Sequence, residues 1–63
     1  MNFVKLYHPK SKSYIMVNMD NVFYMKDAGG GFVEKTFIYT INREVIGVAE
    51  TIDEIMNIRT PND

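Results

Sequence analysis

Few residues in this chain are suited to catalysis. His8 is the single histidine and cysteine is absent, so neither a Cys/His nucleophile pair nor a thiolate zinc site can be assembled. A histidine acting as general base needs an oriented partner. His8 lies in the polar run His8-Pro9-Lys10-Ser11-Lys12-Ser13, where a solvated turn side chain is the expectation. The carboxylates have other roles, with Asp20 and Asp27 in turns and Asp53 and Glu54 at a helix start. A glycosidase pair needs a rigid cleft around a sugar, which 63 residues do not build. Gly29-Gly30-Gly31 invites a phosphate-loop reading, yet the Walker pattern runs GxxxxGK[ST] into a helix and the dinucleotide pattern sets GxGxxG between strand and helix. Here a strand follows the glycines, so a hairpin loop is expected. A loop on a rigid sheet can still carry binding residues, which leaves Lys26, Asp27, Gly29, Gly30 and Gly31 as candidate contacts for a ligand or partner. No catalytic residue, metal ligand or cofactor is expected, and the chain reads as a non-enzyme.

The charge balance bears on nucleic acid. Seven Lys/Arg against eight Asp/Glu give a net charge of −1, without the basic excess that non-specific binding to a polyanion requires. Lys5, Lys10, Lys12, Lys26 and Lys35 precede an acidic last third. Lysines interleaved with aromatics on a sheet can stack bases, but no RNP-like aromatic pattern accompanies them, so nucleic acid ranks last among partners. No apolar stretch approaches the length of a membrane span or a secretory signal. The expected location is the cytoplasm of a bacterium, or of a host cell for a phage-encoded protein.

These residues need elements to position them, and turn signals divide the chain accordingly. β-rich runs at 3–7, 14–17, 22–26, 32–41 and 44–49 predict five short strands. The intervening turns are too short for parallel crossovers. Thr51 stands three residues before Glu54, the spacing of a capping box, and acidic Asp53 and Glu54 suit the positive end of the helix dipole. Ile52, Ile55, Met56 and the stem of Arg59 then share one helical face over 51–58, until Thr60-Pro61 stops the helix. The expected fold class is α+β, mainly β: a small curled antiparallel five-stranded meander with one short C-terminal helix. It forms a single domain, 1–63, with its core at about 3–59 and a tail at 60–63.

Strands with one wet face alternate apolar and polar residues, and these do not. Tyr14 and Met16 oppose Ile15 and Val17; Val22 and Tyr24 oppose Phe23 and Met25; Phe32 and Ile38 oppose Val33, Phe37 and Tyr39. One short helix covers only one side of such a sheet. The other side, with Tyr14, Met16, Tyr24, Phe37 and Tyr39, is therefore expected to serve partner binding or self-association. The competing reading is a small barrel with a few tyrosines outside, since most protein surfaces are largely apolar. A domain this size buries little of its surface and often needs a disulfide, a metal or a second subunit. Without cysteine the second subunit is the expected remedy, so a homo-oligomer is anticipated.

Asn18-Met19-Asp20-Asn21-Val22 and Val48-Ala49-Glu50-Thr51-Ile52-Asp53-Glu54-Ile55 carry one family resemblance. In order and spacing the chain resembles the small FlbD-like family, short bacterial proteins found in flagellar gene sets, with similar short proteins in other bacteria and phages. The resemblance implies no catalytic residues. It differs in the Asp27–Gly31 loop and at Ile41-Asn42-Arg43-Glu44, where the family has an Asn-Gly turn. Three functions remain: a non-enzymatic regulator or inhibitor that binds a protein, such as a phage antagonist of a host system; an oligomeric binder of a small ligand such as a nucleotide, using Lys5, Lys26, Lys35 or Arg43 near aromatics; and a nucleic-acid-binding regulator.

Overall fold

Runs rich in Val, Ile, Tyr and Phe become strands where polar turns allow them to pair. In a computed structural model, which describes residues 2–58, they form β1 (Phe3–His8), β2 (Ser13–Asn18), β3 (Val22–Asp27), β4 (Thr36–Thr40) and β5 (Val45–Val48), followed by helix α1 (Ile52–Asn57). Arg59, the Thr60-Pro61 stop and the tail 60–63 lie outside the described residues. Every strand pairing is antiparallel, but the strands are divided between two sheets instead of running as one meander. β1 pairs with β2, and β4 is the centre of a β3–β4–β5 sheet.

The first hairpin holds its register from Phe3 opposite Asn18 to His8 opposite Ser13 without a shift. Its turn is closed by the Lys12 N–H donating to the Pro9 carbonyl at 3.1 Å, with Lys12 in the left-handed region at φ 54. After β2, Asn18 Oδ1 accepts the Asp20 N–H at 3.0 Å and caps a 3-10 turn, Met19–Asn21. This is the local side-chain bonding expected of such asparagines. The run 32–41 forms a strand only over Thr36–Thr40. Gly29 and Gly31 take φ of +82 and +90, so the chain enters through an irregular loop. Phe32 and Val33 remain exposed outside the ladder.

The core joins both sheets. Val4, Leu6 and Val17 come from the first, Ile38 and Val48 from the second, and Ile55 from α1. Each inner face is thus covered chiefly by the other sheet, where a sheet covered by the helix was expected. α1 adds Ile55, while Met56, expected on the buried helical face, is 62% exposed. The capping box is as expected: Thr51 Oγ1 accepts the Glu54 N–H at 3.1 Å and Glu54 Oε1 accepts the Thr51 N–H at 2.8 Å.

A knot of hydrogen bonds ties the sheets together beside this cap. The Ala49 N–H donates to the Tyr7 carbonyl at 3.0 Å, and both Glu50 carboxylate oxygens accept the Tyr7 N–H at 3.0 Å. The hydroxyl of fully buried Thr36 donates to the Glu50 carbonyl at 2.8 Å. Buried polar groups are tolerated when paired in this way.

Candidate interaction surface

The outward face of the three-stranded sheet depends on a bulge. The β3–β4 register passes from Val22 opposite Thr40 to Tyr24 opposite Tyr39, leaving Phe23 as an extra residue. An inserted residue reverses side-chain parity. Val22 and Met25 therefore both pack on the core, while Tyr24 shares the outward face with Tyr39. This corrects the simple alternation that set Val22 with Tyr24 and Phe23 with Met25.

Across that face Tyr24 lies opposite Tyr39, and Tyr39 opposite Val45; Lys26 lies opposite Phe37, and Phe37 opposite Gly47. The Tyr24 and Tyr39 rings stack with centroids 4.5 Å apart and planes 5° from parallel. Phe23 meets Tyr24 edge-on at 5.5 Å. Phe23 is 73% exposed and Tyr24 47%. Gly47 makes room beside them, since a Cβ there would come within 3.2 Å of Phe37 Cε1 and 2.7 Å of Glu34 Cγ.

Tyr14 and Met16 lie elsewhere. They face outward on β2, 61% and 59% exposed, where Tyr7 meets Tyr14 edge-on at 5.1 Å and Lys5 Nζ lies 5.0 Å from the Tyr14 ring centroid. The five residues expected to form one surface are thus split: Tyr14 and Met16 on the first sheet, Tyr24, Phe37 and Tyr39 on the second.

The loop candidates separate similarly. Lys26 belongs to the aromatic face through Phe37. Asp27 Oδ1 accepts the Gly29 N–H at 2.7 Å, and Gly29, Gly30 and Gly31 have open space where a Cβ would stand. His8 is not free in its turn: Nδ1 lies 2.7 Å from Ser11 Oγ, which lies 2.7 Å from Ser13 Oγ. Among the described residues no group of three or more His, Cys, Asp or Glu is placed to hold a metal ion, and no helix is long and apolar enough to cross a membrane.

A groove of about 150 Å³ opens between β2 and the end of the β4–β5 hairpin. Ile15, Met16, Val17 and Ile46 supply its apolar lining, with Asn18, Asn42 and Glu44 among its polar groups. Sequence reasoning missed Phe23 as a bulge and Glu50 as a clamp. Irregular alternation in VFYMKD hinted at the first; nothing local points to the second. Comparison with protein-family models, with curated proteins and with solved structures finds no match to this chain.

Proposed function

We propose that the protein is a small non-enzymatic regulator or inhibitor that binds another protein through the outward face of the β3–β4–β5 sheet. The observation that carries this reading is the stacked Tyr24–Tyr39 pair with Phe23 projecting beside it. Aromatic side chains held in place on a sheet lose little conformational freedom on binding and supply large contact areas. Phe37 and Lys26 continue the patch, giving it an apolar centre and one cationic edge. A role as a phage-encoded antagonist of a host system belongs to the same reading, as does the likeness to the FlbD-like family. The nucleotide-binding alternative has weaker support, because a groove of about 150 Å³ is smaller than the roughly 300–1,000 Å³ usual for small-molecule sites.

The test is capture of a partner from the native host by the immobilised protein, compared with Tyr24→Ala and Phe23→Ser. Both positions are solvent-exposed, so the fold is expected to persist, as read by circular dichroism. The same partner should be retained by the unsubstituted chain and lost, at least tenfold, by both variants. Equal retention by all three would overturn the assignment of this face.

A further inference from the structure

The two outer strands of the molecule are guarded differently. β3 carries a bulge at Phe23, Lys26 and Asp27 in its sequence, and α1 packed against it. Bulges, charges and covering elements are the usual means of blocking an exposed edge. β2, reading SYIMVN, has none of these among the described residues: it holds no charge and no proline, and its pairing with β1 is regular throughout.

Its free backbone groups can be assigned. Tyr7 is directly opposite Tyr14, yet the Tyr7 N–H and C=O turn away to Glu50 and Ala49. Antiparallel pairs alternate between bonded and non-bonded, so Tyr14, Met16 and Asn18 turn their N–H and C=O groups away from β1. The Met19 N–H donating to the Asn2 carbonyl at 2.8 Å fits the same alternation. Among the described residues no backbone hydrogen bond from outside the hairpin reaches Tyr14 or Met16.

We infer that β2 is a self-association edge, and that its occupant is β2 of a second copy of this chain, paired antiparallel about a two-fold axis at Met16. The charges flanking the strand select this occupant. Lys12 precedes β2 and Asp20 follows it, both exposed, with no charge between them. A two-fold at Met16 sets Tyr14 opposite Asn18 of the partner copy and carries Lys12 toward Asp20 of the partner copy, twice per dimer. The strand is therefore self-complementary only when antiparallel; a parallel pairing would bring lysine to lysine and aspartate to aspartate. On the inner side the same register sets Ile15 beside Val17 of the partner copy, extending the apolar lining of the groove across the junction. The interface is isologous, each copy supplying the same patch, and it uses neither Tyr24 nor Tyr39.

Sedimentation equilibrium of the full chain tests this. The unsubstituted protein should give a particle of twice its 7.3 kDa. Met16→Lys, at an exposed site, should give a monomer by facing two ammonium groups at the axis. Lys12→Glu or Asp20→Lys alone should weaken association by roughly three- to tenfold, and the two together should restore it. Tyr24→Ala should leave the dimer intact, so failure here is separable from failure of the partner-binding reading. A monomer at every concentration up to the millimolar range, a Met16→Lys variant that dimerises equally well, or a double charge swap without rescue would overturn the proposal.

Discussion

Glu50 occupies one place in the sequence and acts in three parts of the molecule. Its carboxylate takes the Tyr7 N–H, its carbonyl takes the Thr36 hydroxyl, and it directly precedes the Thr51 cap. Glu50→Ala leaves the Tyr7 N–H without this acceptor, and loss of one partner of a half-buried charged hydrogen bond costs about 1–3 kcal/mol. The unfolding free energy should fall by that amount, read as a lower denaturant midpoint with the slope unchanged; Glu50→Gln, which keeps an acceptor oxygen, should lose less. Glu50 could not be read this way from sequence, because Tyr7 is 43 residues away and a carboxylate before a helix is ordinary. The Thr51–Glu54 box was legible because both partners lie within a single turn of chain. His8 shows the same division: its turn was readable, its short bond to Ser11 was not.

Elements were legible nearly to their ends wherever side-chain type changes sharply, as at Asn18 and Thr51. The faces of β3 were not, since a bulge is a property of the paired ladder and not of the strand alone. Removing Phe23 altogether would make the ladder regular, with Val22 still inward opposite Thr40 and Tyr24 still outward opposite Tyr39. Such a deletion should keep the dispersed amide spectrum of a folded protein while removing the exposed Phe23 ring from beside Tyr24. Phe23→Ala keeps the residue count and changes only an exposed side chain, so its stability should stay within about 0.5 kcal/mol of the parent. The strand expected at 32–41 was overlong for a related reason. Phe32 and Val33 have strand-forming side chains, but they fall outside the β3–β4 register. The five residues of the candidate surface, set on one side of a single sheet by residue type alone, fall on two, because Tyr14 and Met16 belong to the other sheet.

At the scale of the molecule, two small sheets bury each other's inner faces and leave both outer faces open. With six fully or nearly buried apolar side chains among the described residues, the protein has little stability to spare. Association of two copies through β2 would add to it by mass action. The melting temperature should therefore rise by several degrees over a hundredfold increase in protein concentration, and Met16→Lys should show no such rise. The Glu50 clamp has a further consequence in the order of synthesis. The β1–β2 hairpin has all its residues once Asn18 is made, yet the acceptor for the Tyr7 N–H comes 32 residues later. At typical elongation rates of 5–20 residues per second that is a wait of about 2–6 s. During that interval the nascent hairpin has both edges open, and the growing chain, not a finished neighbour, must keep them apart from other strands.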